Sequence, residues 1–194
     1  TFQILADEIQ NIRMVGSTTE LQQAQRVVER RLQKCQKQLD ATHEYQRVGA
    51  INGQVLDANG KNVLLDIYHR FGLTRPKAFS FELNNPETDV SVKCVEVLDV
   101  QEDALGNLSG LGAHAWCGQA FWNKLISHKN VRETYIASEG ASTLRGDRRQ
   151  AFVFGGILWE RYRGKVNGQP FVASDRAKLV PDGVPGLFIS AFAP

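Results

Sequence analysis

The chain has 194 residues, a formal net charge of +2, and 42% hydrophobic and 23% charged residues. These are ordinary values for one large or two small globular domains. They exclude collagen-like, coiled-coil and disordered classes, and the charge lacks the concentrated basic excess of a dedicated nucleic-acid binder. The three cysteines, Cys35, Cys94 and Cys117, are odd in number and far apart, which argues against a disulfide framework and for a reducing compartment. The longest apolar run, AFVFGGILW, is too short to cross a bilayer, and no basic-then-apolar signal segment occupies the first residues.

The clearest element follows Gly16. Ser17 and Glu20 have capping-box spacing. Leu21, Ala24, Val28, Leu32, Cys35 and Leu39 then recur at intervals of three and four. With no Gly or Pro from Thr18 to Tyr45, a helix over 18–45 of roughly 40 Å is expected. Its narrow apolar stripe suits an element lying across a surface rather than one buried at a domain centre. Arg26, Arg30, Arg31, Lys34 and Lys37 give it a basic patch, read as a solvated face or a contact for nucleic acid or a neighbouring subunit.

Asn59-Gly60 between two β-rich runs predicts a hairpin over 48–69 with a type I′ turn. Two prolines and Asn84-Asn85-Pro86 mark a connection and a domain boundary near Arg75 to Asp89. VSVKCVEVLDV reads as a strand, QEDALGNLSGLG as a loop and AHAWCGQAFWNKLISHKNV as a helix. ETYIAS reads as a short strand. QAFVFGGILWERYRG reads as a strand pair bent at Gly155-Gly156. A short helix capped at Ser174 and a last strand over Leu187 to Phe192 complete an α+β chain.

Catalytic motifs are scarce. The nucleophile elbow G-x-S-x-G and the phosphate loop G-x-x-x-x-G-K-[ST] are absent. Gly110, Gly112 and Ala115 fit G-x-G-x-x-A ahead of the expected helix and define the alternative reading, a nucleotide-binding enzyme. That site needs a strand running straight into the glycines, whereas polar loop residues intervene. His114 and Cys117 have H-x-x-C spacing but lack two further ligands for zinc. Arg145-Gly146-Asp147 matches the integrin-type adhesion tripeptide. In a chain this rich in Arg and Gly the plainer reading is a polar loop that Gly146 allows to turn. No catalytic residue, metal ligand or cofactor is therefore expected.

The C-terminal half carries a more specific pattern: CGQAFWNKLISHKNVRETY, then LRGDRRQAFVFGGILWERYRG, then PDGVPGLFISAFAP. This ordered series resembles the phage major capsid protein E family, the lambda-type head proteins, and LLDIYHRFG and the N-terminal helix also fit. The resemblance covers most of the chain and is strongest from Trp116 to Pro194. It implies a Hong Kong 97-type capsid fold, with a long spine helix plus β-hairpin and a mixed axial domain. Residues 1–76 would form the peripheral portion and 77–194 the axial domain. Family members normally carry an N-terminal arm and an extended loop before the spine helix, and run on past a Phe-Ala-Pro stretch. Neither is found here, so the resemblance implies a piece of a longer protein.

The function so implied is structural: a major head subunit of a tailed phage or prophage. It would assemble into pentamers and hexamers of an icosahedral shell around double-stranded DNA. The implied partners are copies of itself, scaffold, portal and decoration proteins, and packaged DNA bound non-specifically, with no membrane. The implied location is the virion capsid, and the host cytoplasm during assembly. Inter-subunit polar contacts are expected from Arg145, Asp147, Arg148, Arg149, Arg163, Lys165 and Asn167.

Overall fold

A computed structural model describes residues 20–106, 112–137, 149–166, 168–187 and 189. The first element among the described residues is α1 (Glu20–Asn52), a helix of 33 residues and so about 50 Å long. The expected end at Tyr45 is too early, because nothing in the next turns stops a helix until Gly53. Gly53 adopts φ +85, and a β-carbon there would sit 2.0 Å from the Tyr68 ring. It both terminates the helix and lets the aromatic ring close over the backbone.

Strands β1 (Gln54–Leu56) and β2 (Val63–Asp66) pair antiparallel, so the hairpin is shorter than 48–69. The turn is also not type I′. Among the described residues Glu82 is the sole non-glycine with positive φ, whereas type I′ needs it at both central positions. Instead Asp57 N–H donates to the Asn62 carbonyl at 3.0 Å. The Asp57 carboxylate in turn accepts from Asn59 N–H at 3.1 Å and from the Asn62 amide at 2.9 Å. Gly60 N–H also donates to the Asp57 carbonyl at 3.0 Å, so the Asp57 side chain braces a backbone turn over 57–60 rather than a type I′ turn. Helix α2 (Ile67–Phe71) follows, capped by Asp66. Residues 73–88 contain no helix or strand.

The expected strand over VSVKCVEVLDV is a helix, α3 (Val90–Leu105), which also absorbs the start of the expected loop at 101. Asp89 decides the outcome: its carboxylate accepts from Ser91 N–H at 2.9 Å and Val92 N–H at 3.2 Å, satisfying orphan donors of the first turn. Val90 and Cys94, one turn apart, are fully buried. The opposite error occurs next. AHAWC is strand β3 (Ala113–Cys117), with Ala113, Ala115 and Cys117 buried and His114 and Trp116 between them. This is the period-2 signature of a half-buried strand. Helices α4 (Gln119–Ser127) and α5 (Lys129–Ala137) follow, so the strand expected over ETYIAS is also helical as far as Ala137. Between them, His128 leaves the helical conformation and its Nε2 meets the Asn85 carbonyl at 2.9 Å.

Strands β4 (Phe152–Phe154) and β5 (Ile157–Arg161) form the expected bent pair through Gly155-Gly156. A short hairpin of β6 (Lys165–Val166) and β7 (Gln169–Pro170) precedes β8 (Ala177–Pro181). The main sheet has the order β4-β5-β3-β8, with β3 parallel to β5 and the other pairs antiparallel. There is no helix at Ser174. Its carbonyl instead accepts from Ala120 N–H at 2.8 Å and Phe121 N–H at 2.9 Å, and its hydroxyl lies 3.2 Å from Ala120 N. It thus caps α4, whose own N-cap is Gly118 and brings no side chain. The strand expected over Leu187 to Phe192 falls largely outside the described residues, and Leu187 and Ile189 are not in a strand.

One face of the sheet and the inner faces of α3, α4 and α5 enclose the core: Val90, Cys94, Trp122, Leu125, Val131, Phe152, Phe154, Ile157 and Trp159. Phe81 stands edge-on to Trp159 at 5.5 Å, and the Trp159 indole donates to the Phe154 carbonyl at 3.0 Å. This core indole is therefore packed and polar-satisfied.

Candidate functional site

The geometry corrects the nucleotide reading. Gly112 leads into strand β3 rather than a helix, and Ala115 is buried in the middle of that strand. Gly110 lies outside the described residues. A pyrophosphate site needs a helix N-terminus after the glycines, and β3 takes that place. His114 and Cys117 point to opposite faces of β3: Cys117 is fully buried in the core, and His114 Nε2 lies 2.9 Å from Glu160 Oε2. They cannot share a metal ion. Among the described residues no group of three or more His, Cys, Asp or Glu is placed to hold one. Burial pushes the Cys94 thiol up to about 12 and the Cys117 thiol higher still, with Asp89 and Glu160 adding to the respective shifts. Both remain thiols rather than nucleophilic thiolates at neutral pH.

What the molecule does present is uncovered surface. Among the described residues, helix α1 meets the sheet body near its C-terminal end. There Tyr45 meets the Phe171 ring at 5.1 Å, the Asn52 amide donates to the Phe171 carbonyl at 3.3 Å, and the Tyr162 hydroxyl donates to Glu44. Burial, then the bond to Glu44, raise the Tyr162 pKa. Val48 is the one buried residue of 25–52. The apolar stripe expected to be covered is not: Leu32 is 62% and Leu39 59% exposed.

Helix α3 presents a second such face. Val92, Val95 and Val100 are each half or more exposed, on the side opposite Val90 and Cys94, with Glu96, Asp99 and Asp103 among them. A third lies on the outer side of the β4–β5 pair, where the register partners Val153 and Leu158 are both exposed. The sequence reading missed the last two, because it called α3 a strand and did not assign sides to the strand pair. The charge-and-valine alternation of 92–103 carried the signal, once read at helical rather than strand period.

Three of the seven expected contact residues can be placed. Arg149 is exposed just ahead of edge strand β4, Arg163 is exposed after β5, and Lys165 is exposed on β6. The antiparallel β4–β5 register brings the backbone near Arg149 and near Arg163 to the same end of the sheet. Gly164 sits between Arg163 and Lys165 where a β-carbon would lie 2.7 Å from both the Phe171 ring and the Tyr162 hydroxyl, so this loop is held close to the α1 junction. Arg145, Asp147, Arg148 and Asn167 lie outside the described residues, as does the Arg145-Gly146-Asp147 tripeptide.

Apolar side chains are thus exposed on three separate elements of this α+β protein, a feature that marks interaction surfaces when it extends over a large contiguous patch. The family described as phage major capsid protein E matches residues 1–194, and the chain belongs to that family. It is 30% identical over 179 residues to the major capsid protein of Salmonella phage Felix O1, covering 84% of this chain and 48% of that relative. It is likewise 30% identical over 208 residues to the major capsid protein of Pseudomonas phage KPP10, covering 96% of this chain and 59% of that relative. The chain thus spans about half of the length of these curated relatives. Among the described residues no helix is long and apolar enough to cross a membrane.

Proposed function

We propose that this chain is the shell-forming part of a tailed-phage or prophage major head protein with a Hong Kong 97-type fold. Family membership and the two relatives' shared description support the reading. The observation that carries it structurally is α1: a helix of 33 residues with an exposed leucine stripe, attached at one end. Exposing such a stripe in a lone molecule leaves the hydrophobic effect unused, and neighbouring copies in a shell would cover it. In this scheme residues 1–76 are the peripheral portion and 77–194 the axial domain. Arg145, Asp147, Arg148, Arg149, Arg163, Lys165 and Asn167 then lie on the loops that meet adjacent copies within pentamers and hexamers.

The mechanism is association and conformational rearrangement rather than bond-making chemistry. Scaffold, portal and decoration proteins would act on the assembling shell in the host cytoplasm, and double-stranded DNA would fill it through sequence-independent contacts. Sedimentation velocity of the complete gene product tests the reading. Capsomer-sized or larger species are expected as concentration rises, and a monomer at all concentrations and salts would overturn it.

A further inference from the structure

Helices α1 and α3 carry complementary charge in matching spacing. Residues 26–37 hold five cations against one carboxylate, and residues 96–103 hold four carboxylates and no cation. Arg30, Lys34 and Lys37 follow one another at four and three residues and so share one face of α1. Eleven residues make three turns, so Lys34 stands in line with Tyr45 and Lys37 with Val48, the side on which α1 is seated on the body. Read backwards along α3, Asp103, Asp99 and Glu96 follow one another at the same four and three. Arg30, Lys34, Lys37, Asp99 and Asp103 are exposed, and Glu96 keeps 45% side-chain exposure while paired to Lys93 at 2.8 Å.

From this juxtaposition we infer that the basic face of α1 in one copy docks antiparallel on the acidic outer face of α3 in a second copy. Arg30 then lies opposite Asp103, Lys34 opposite Asp99 and Lys37 opposite Glu96. The inference rests on the capsid reading above and names a surface for it. Val92, Val95 and Val100 flank the carboxylate line on α3. The methylene stems of the lysines and arginine would cover these valines while their heads reach the carboxylates. Two different patches of one chain meet, so the contact is heterologous and propagates around a ring or along a shell. Each exposed ion pair is weak alone, and repetition makes such contacts effective. A second copy is the favoured occupant over nucleic acid because the matching anionic ladder is on the chain itself.

The test uses the complete gene product in three versions: Lys34→Glu with Lys37→Glu, Asp99→Lys with Asp103→Lys, and all four substitutions together. Each double variant should need ~10-fold or more higher concentration for half-assembly at moderate salt, with unchanged circular dichroism and unfolding midpoint. The fourfold variant, with its charges exchanged, should recover assembly. Parent-like assembly of either double variant overturns the inference, as does failure of the fourfold variant to recover while remaining folded. Double variants that assemble normally but retain less DNA would overturn it in favour of a nucleic-acid face. A parent protein that never assembles would instead sink the capsid reading itself.

Discussion

At the residue scale, close approaches and buried thiols make the sharpest statements. Gly155 has φ +59, and a β-carbon there would lie 2.4 Å from the Cys94 β-carbon. The β4–β5 turn therefore rests directly on α3, a packing role that the sequence showed only as a bend. Gly155→Ala should cost about 2–3 kcal/mol through overpacking and backbone strain together, read as a lower urea midpoint with an unchanged slope. Cys94 and Cys117 are fully buried while Cys35 is half-buried on α1. Brief alkylation of the native protein should label Cys35 alone, and labelling of the other two only in denaturant.

The thiols also set a pH dependence. Burial raises Cys94 from 9.0 to about 12, so between those values the native state holds a proton that the unfolded chain releases. Stability is full below pH 9 and falls as pH rises from there. Replacing Cys94 with Ala should flatten the urea-midpoint profile above pH 9. An equally steep alkaline profile in the variant would refute this cause.

At the element scale, α1 was legible because apolar residues recur at three and four over a long run without Gly or Pro from Thr18 to Tyr45. The β4–β5 pair was legible because aromatic residues alternate about a Gly-Gly bend. Two neighbours were read the wrong way round for a shared reason. In 90–100, valines at both odd and even spacings fit a strand by propensity, yet they also place Val90, Cys94, Val97 and Leu98 on one helical side. The Asp89 cap and the available length settle that ambiguity. In 113–117 the strand is only five residues, and the helical sequence after Gly118 drew the reading forward over it.

Ser174 shows a third kind of miss. Its capping chemistry was recognised, but the helix it caps is 54 residues away in sequence, a tertiary fact no local pattern carries. Asp89→Ala should therefore destabilise the protein by about 1 kcal/mol, because the carboxylate is the donors' sole side-chain cap. Ser174→Ala should cost less, since the Ser174 carbonyl still accepts from Ala120 and Phe121. Denaturant unfolding of the two variants side by side checks the order.

At the scale of the whole molecule, core and surface separate cleanly. Composition and motif searches excluded function classes without choosing one. The choice came from an ordered series of residues in the C-terminal half, and the exposure of the stripes appeared only with the fold. Periodicity marked only the α1 stripe, and Leu32 and Leu39 on it are exposed; the faces on α3 and the β4–β5 pair became visible only in the fold. Leu32→Glu with Leu39→Glu should leave monomer stability within about 0.5 kcal/mol while lowering assembly. A large loss of monomer stability would mean that the stripe is covered within the chain.

The central claim is that this surface is completed by copies of the same chain. Electron microscopy of the complete gene product, expressed with its assembly partners, tests it most directly. Closed shells or capsomer rings are the expected result. A stable monomer that forms neither, under any condition of salt, concentration or partner, would contradict it.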